Sequence, residues 1–428
     1  MKRLSSVIVF LCSALLAFAQ YNTDEVRVVV TPDHADWNYK CGEKAEFTVR
    51  VVKSQCLVPG AVISYEMGPL MYPDIRKENV TLKTGETSLG KVTMEKPGFY
   101  RLKVKTMVND RSYEGLCTIS FDREQIRPVA QLPSDFMDFW NGALEEARKT
   151  PLDPRMVLLS DRCTDEVNVY EVSYQNMREG SRTYGILCMP KKPGKYPALL
   201  RVPGAGVRPY YGDVETAAKG AITLEIGVHG ISVTMPQQRY DELSHGALYG
   251  YYEQNLDDRD KNYYKRVFIG AVRGVDMICS LPEYNGQALG VTGASQGGML
   301  SLVTAALDKR VTFLAGIHPA MCDHTASLQK QACGWPHYFY QVENPDPQKV
   351  KMSAYYDGIN FARNITQPAW FAWGYNDEVV APTSMFAMYN TLQSKKEFHP
   401  YLQSGHWWYW EEYADWNNWL WSQMGLNL

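Results

Sequence analysis

From Tyr21 to about Phe121, apolar and polar residues alternate in short runs. Val26-Arg-Val-Val-Val, Glu46-Phe-Thr-Val-Arg-Val-Val, Ala61-Val-Ile-Ser-Tyr-Glu-Met and Tyr100-Arg-Leu-Lys-Val-Lys carry the period-two or β-branched texture of strands. Pro59-Gly60, Lys83-Thr84-Gly85 and Lys96-Pro97-Gly98 punctuate them as turns. The pattern predicts a small all-β, sandwich-like domain over residues 20–124. It holds one histidine, His34, and no acid–base cluster. A packing or spacing role and a carbohydrate-binding role are both open to it.

A linker over 125–133, containing Pro128 and Pro133, leads to a second texture from residue 134 to 428. Ser134 reads as an N-cap. Phe136, Phe139, Trp140, Ala143, Leu144 and Ala147 recur at helical spacing behind it. A strand pair is expected around Asn168–Tyr174 and Tyr184–Met189. Near-continuous apolar runs follow: Ala198-Leu-Leu-Arg-Val, Ala221-Ile-Thr-Leu-Glu-Ile, Leu289-Gly-Val-Thr, Val311–Ile317 and Ala369-Trp-Phe-Ala-Trp. Helical stretches such as Tyr264–Ser280 and Gln296–Leu307 separate several of them. Buried strands alternating with helices predict an α/β, doubly wound, mostly parallel sheet. A long aromatic insertion through Tyr240, Tyr249, Tyr251 and Tyr252 reads as a lid or binding surface.

The first residues change the picture of where the chain works. Lys2 and Arg3 precede an apolar run from Val7 to Leu16, and Ala17-Phe-Ala19 offers a small-x-small cleavage site. Residues 1–19 are therefore expected to be a signal peptide removed near Gln20, giving an exported, periplasmic or extracellular protein. A lipoprotein anchor at Cys12 is the competing reading. No later run is long enough for a membrane span. Of nine cysteines, eight lie beyond the leader, without any Cys-x-x-Cys pair, so a zinc or thioredoxin-type site is not expected. Cys322 and Cys333 are close enough in sequence to bridge. The net charge of −3, with basic and acidic residues interspersed, argues against a nucleic-acid partner.

One pentapeptide carries chemistry: Gly293-Ala-Ser295-Gln-Gly297, between the strand Ala288-Leu-Gly-Val-Thr and a helix. A strand–turn–helix around Gly-x-Ser-x-Gly is a nucleophile elbow, which exposes the serine hydroxyl at the top of an α/β-hydrolase sheet. Its bland counterpart is a tight turn with incidental glycines. A serine needs a base, and the base an orienting acid, in the chain order Ser, acid, His for this fold. Asp377, in the turn after Phe371-Ala-Trp, is the acid, with Glu378 as the alternative. His406, in Ser404-Gly-His-Trp-Trp, is the base, with His399 as the alternative in the last strand. His318, His324 and His337 precede the acid and break the order. The oxyanion donors are expected to be the backbone N–H of Gln296 and one from Pro203-Gly-Ala-Gly206, namely Ala205. Such a triad calls for no metal or organic cofactor.

These residues resemble the acetyl xylan esterase and cephalosporin-C deacetylase family, carbohydrate esterase family seven. The resemblance runs from about Leu132 to the C-terminus. It rests on Asp135-Phe-Met-Asp-Phe-Trp140, Asn262 to Asp276, Leu281-Pro-Glu283, Gly290-Val-Thr-Gly-Ala-Ser-Gln-Gly-Gly298 and Asp377…Pro382…Phe386-Ala-Met-Tyr-Asn390. It implies a Ser295–His406–Asp377 triad releasing acetate from acetylated sugars, and adds a homo-oligomer to the expectations. Two departures stand out. Pro203-Gly-Ala205 replaces the family's His-Gly-Tyr, and the β-rich N-terminal domain is an addition. A feruloyl or other carboxylesterase, or a peptidase, would share the triad. A glycan-binding protein that has lost activity would share the fold.

Overall fold

The computed structural model describes residues 26–427. The expected leader and its cleavage site near Gln20 lie outside them. The chain divides into two compact units, one ending at Asp122 and the other beginning at Arg123. No helix among the described residues is long and apolar enough to cross a membrane.

Among the described residues the first unit has nine strands: β1 (Val26–Pro32), β2 (Asn38–Tyr39), β3 (Ala45–Lys53), β4 (Cys56–Leu57), β5 (Ala61–Pro69), β6 (Ile75–Leu82), β7 (Glu86–Val92), β8 (Gly98–Val108) and β9 (Arg111–Phe121). One sheet runs β1-β3-β4 with β7 also paired to β3, and the other runs β2-β9-β8-β5-β6. Alternation along β3 buries Ala45, Phe47, Val49 and Val51 on one face. Sequence pattern located β1, β3, β5 and β8. It missed β6, whose Ile-Arg-Lys-Glu-Asn-Val-Thr-Leu is largely exposed at the edge of its sheet.

The second unit holds one nine-stranded sheet in the order β10-β11-β12-β14-β13-β15-β16-β17-β18. Its strands are β10 (Arg155–Leu158), β11 (Val167–Gln175), β12 (Arg182–Pro190), β13 (Tyr196–Arg201), β14 (Ile222–Ile226), β15 (Tyr284–Ala294), β16 (Phe313–Ile317), β17 (Ala369–Trp373) and β18 (Lys396–Pro400). From β14 to β18 every pairing is parallel, and β10, β11 and β12 extend the sheet antiparallel. The helices are α1 (Phe136–Arg148), α2 (Val214–Ala218), α3 (Gln237–His245), α4 (Tyr263–Cys279), α5 (Gln296–Leu307), α6 (Pro347–Ser353), α7 (Gly358–Ala362), α8 (Pro382–Thr391) and α9 (Trp410–Met424). Trp416, Leu420, Trp421 and Met424 of α9 pack on Leu199, Phe313, Ala315, Ile317, Trp370 and Ala372 of the sheet. Strands covered on both faces read as unbroken apolar runs, which is why β13, β16 and β17 were visible in the sequence.

Three expectations need correction. The N-cap of α1 is Asp135, which makes no side-chain capping bond; its carboxylate is instead held by Arg259 and Tyr355. The aromatic insertion is not an open lid. Tyr240 and Tyr251 are buried in it, and only Tyr249 stands out, 77% exposed. Cys322 and Cys333 do not bridge, and all eight described cysteines are free thiols.

The stretch after Arg123 is bonded into the second unit. Asn390 Nδ2 donates to the Arg123 and Ile126 carbonyls, and buried Asp323 accepts from the N–H groups of Val129 and Ala130. Asp357 anchors the other side, accepting from the N–H groups of Asp323, His324 and Ile359. Burial, and then the Asp357 carboxylate, push the Asp323 carboxyl up to about 7, against the N–H bonds that favour its anion. The folded state thus holds a proton that the unfolded chain releases near pH 4. That stabilisation is full below about pH 4 and is lost as pH rises towards 7. Asp323→Asn keeps an acceptor for both backbone donors. We expect the wild type's Tm advantage over this variant to shrink by a few degrees between pH 4 and 7, measured by calorimetry. A difference that does not change with pH would assign the proton elsewhere.

Candidate active site

The carboxyl ends of β13, β15, β16, β17 and β18 gather at one edge of the sheet, where ligands of open α/β sheets bind. Ser295 sits between the end of β15 and the first turn of α5, with φ +59° and ψ −121°. Such a backbone is uncommon for a residue with a side chain, and the surroundings hold it. Its N–H donates to the Ile317 carbonyl at 2.9 Å, and its carbonyl accepts from Ala320 and Met299 at 3.0 and 3.2 Å. The flanking glycines answer a single oxygen. A Cβ on Gly293 would lie 2.2 Å from the Val202 carbonyl oxygen, and one on Gly297 would lie 2.3 Å from it.

Asp377 lies in the turn after β17 and is 1% exposed. Its Oδ1 accepts from the N–H groups of Val379 and Val380, both at 2.8 Å, leaving Oδ2 for His406 Nδ1 at 2.8 Å. The other ring nitrogen, Nε2, is 3.1 Å from Ser295 Oγ. A carboxylate on Nδ1 selects the tautomer in which Nε2 accepts, so the serine hydroxyl can hand its proton to the ring. The two loops are tied together where the Tyr375 N–H donates to the Leu402 carbonyl at 3.2 Å.

The alternatives lie apart from this arrangement. Glu378 faces solvent, and His399 stacks on Trp370 with ring centroids 4.9 Å apart. His324 packs against Tyr338, and His337 Nδ1 approaches Cys333 Sγ at 3.6 Å. His318 is different. Chain order sets it aside as a base, yet its ring lies 4.2 Å from that of His406 and stacks on Trp408. Burial lowers its pKa to about 3, so this edge of the sheet carries a neutral imidazole beside His406. His318, Asp377 and His406 bring three ligand-type atoms within 4.8 Å of one another. Both His406 nitrogens are engaged by Asp377 and Ser295, so a metal there would compete with this arrangement rather than complete it.

The loop after β13 passes close to the serine; a Cβ on Gly204 would lie 3.9 Å from Ser295 Cβ. Four successive carbonyls of this loop accept from side chains. Gln296 Nε2 donates to Pro203 at 3.2 Å, Arg208 donates to Gly204 at 3.2 Å and to Ala205 at 2.8 Å, and His229 Nε2 lies 3.0 Å from the Gly206 oxygen. Because C=O and N–H point oppositely across a trans peptide, holding the Gly204 carbonyl on Arg208 turns the Ala205 N–H away from it. The supports are themselves fixed. Tyr251 and Tyr264 hydroxyls both donate to Gln296 Oε1 at 2.8 Å. Burial lowers the His229 pKa to about 4, leaving a neutral ring that accepts from the Tyr263 hydroxyl at Nδ1 and donates from Nε2. The Gln296 amide, first in α5, has no acceptor within the helix. Arg208 and His229 escaped the sequence reading because no short motif joins them, and Tyr251 and Tyr264 were placed only in an aromatic insertion and a helix, not as supports of Gln296.

A cavity of about 680 Å³ opens over Ser295 and His406, walled by Ala205, Arg208, Tyr211, His318, Trp335 and Trp408 among others.

A model of the acetyl xylan esterase (AXE1) family matches residues 119–422. The acetyl esterase Axe7A of Xylanibacter ruminicola is 39% identical over 409 residues, covering 93% of this chain and 91% of that protein. The solved acetyl xylan esterase from Paenibacillus sp. R4 superposes with a TM-score of 0.61 at 26% identity, over 70% of this chain and 98% of its own. Acetyl xylan esterase 1 from Thermoanaerobacterium sp. JW/SL YS485 has the same fold, with a TM-score of 0.61 at 24% identity, over 70% of this chain and 97% of its own.

The contact of both motif glycines with one carbonyl makes a definite prediction. Gly297→Ala drives a methyl into the Val202 oxygen, and the elbow must shift. We expect a fall in ester turnover of at least ~10²-fold, since displacements near 1 Å at reacting groups have that effect. Rate assays beside a melting curve, to confirm folding, check it.

Proposed function

The chain belongs to the acetyl xylan esterase family and is a carboxylic ester hydrolase, and from there we propose that it removes acetyl groups from sugars by a two-step acyl transfer through Ser295. The observation that supports this most is the unbroken hydrogen-bonded line from Ser295 Oγ through both nitrogens of His406 to buried Asp377. In the first step neutral His406 takes the Ser295 proton as Oγ attacks the acetyl carbonyl. Asp377 holds the ring and balances the imidazolium. The negative charge that grows on the carbonyl oxygen is met by the N–H groups of Gln296 and Ala205. His406 then returns its proton to the departing sugar oxygen, leaving acetyl–Ser295. Water, activated by the same ring, releases acetate.

Support for an acetylated carbohydrate substrate comes from the names of the relatives and from a cavity whose walls include aromatic rings and charged side chains. Export rests on residues 1–19, with their basic start, apolar run and Ala-Phe-Ala site. Assembly into a homo-oligomer is a family habit that this reading carries over.

Two experiments test it. Ser295→Ala should lower kcat/KM on acetylated xylo-oligosaccharide by at least ~10⁴-fold with Tm within a few degrees of wild type, as for other triad removals. It should also abolish labelling by a fluorophosphonate. Activity within about tenfold of wild type would sink the nucleophile. Arg208→Gln loosens the Gly204 and Ala205 carbonyls without touching the triad. We expect kcat to fall by about tenfold, with KM nearly constant, below the ~10²–10³ of a lost oxyanion donor. A change confined to KM would make Arg208 a substrate contact instead.

A further inference from the structure

We propose that a second cavity, beside the one over Ser295, is a subsite for a neutral sugar ring next to the acetylated one. This rests on the acetyl-sugar reading above and deepens it: the preferred substrate is an oligosaccharide, not a free monosaccharide. The second cavity measures about 390 Å³ and shares Arg201, Gly212 and Glu225 with the larger one, so the two are neighbours. Both volumes fall within the roughly 300–1,000 Å³ usual for small-ligand sites.

The walls specify the ligand. Asp213 is paired with Arg201, whose guanidinium also donates to Asn417 Oδ1 at 2.9 Å. Glu225 accepts from the Gly212 N–H at 2.8 Å, and Glu215, also on the wall, is exposed. With the cation already neutralised by Asp213, the remaining charge is that of Glu215 and Glu225. It repels a carboxylate and offers acceptors to hydroxyl groups. Tyr413 supplies an aromatic wall, and its ring stacks on Trp410, 5.5 Å away and 76% exposed. Trp408, two residues before Trp410, lines the serine cavity. Rings therefore border both cavities from one short segment that begins beside His406. Hydroxyl acceptors at the edge and an aromatic face are the two surfaces a pyranose presents partners for, its hydroxyl rim and its C–H face. A purely apolar occupant would leave the carboxylates without partners.

The test compares kcat/KM on acetylated xylose, xylobiose and xylotriose, with p-nitrophenyl acetate reporting the serine cavity alone. For the wild type we expect a gain of at least ~10-fold from mono- to trisaccharide. Trp410→Ala and Glu215→Gln, both at exposed positions, should each cut that gain by about fivefold relative to p-nitrophenyl acetate. Unacetylated xylotriose should quench tryptophan fluorescence in the wild type and not in Trp410→Ala, and a galacturonate trimer should do neither. Equal constants at every chain length, or gains unchanged in both variants, would overturn the subsite. Turnover of p-nitrophenyl acetate with no acetylated sugar hydrolysed would overturn the substrate reading itself. If xylotriose then still quenched fluorescence, the subsite would stand without it.

Discussion

The carbonyl oxygen of Val202 is the point on which the rest of this edge turns. It closes β13, and both glycines of the Ser295 pentapeptide press against it so tightly that neither position admits a methyl group. The left-handed φ of Ser295 is the geometric price of changing from strand to helix within that space. Everything around the elbow can be read as restraint. The Ile317 carbonyl, the Ala320 amide and the first turn of α5 hold the serine backbone. The same contact fixes how close the loop at Gly204 and Ala205 comes to the hydroxyl. One packing contact thus bears on both the Ser295 turn and the loop that runs past it.

Much of this was legible in the chain before any coordinates. Parallel strands buried on both faces announce themselves as apolar runs, and β13, β15, β16 and β17 were found that way. Chain order singled out Ser295, Asp377 and His406, and the three side chains are joined by hydrogen bonds. What stayed hidden was set by contacts across long stretches of sequence. Nothing local marks His229 as a support for Gly206, or Tyr251 and Tyr264 as the pair that aims the Gln296 side chain. His318 was dismissed by an ordering rule that concerns the base alone. That rule says nothing about which rings pack against the base. Edge strands such as β6 were missed for a plainer reason: their polar faces meet water, so their residues alternate weakly.

The polar groups beneath the site follow one pattern. His318 and His229 are kept neutral by burial, while the ion pair of Arg201 and Asp213 cancels internally. Against the His406 ring itself the charged partner is the carboxylate of Asp377, at 2.8 Å, while the guanidinium of Arg208 on the cavity wall is spent on the Gly204 and Ala205 carbonyls.

The loop from Pro203 to Gly206 is gripped by its carbonyls, and from three different parts of the chain. Its own side chains take no part in that grip. Pro203 and Ala205 are for that reason nearly free to drift. Mutation can recolour the mouth of the cavity while the backbone beneath stays held. A scaffold of this kind separates the inheritance of chemistry from the inheritance of taste, and lineages built on it can trade one substrate for another by single substitutions without first losing the reaction.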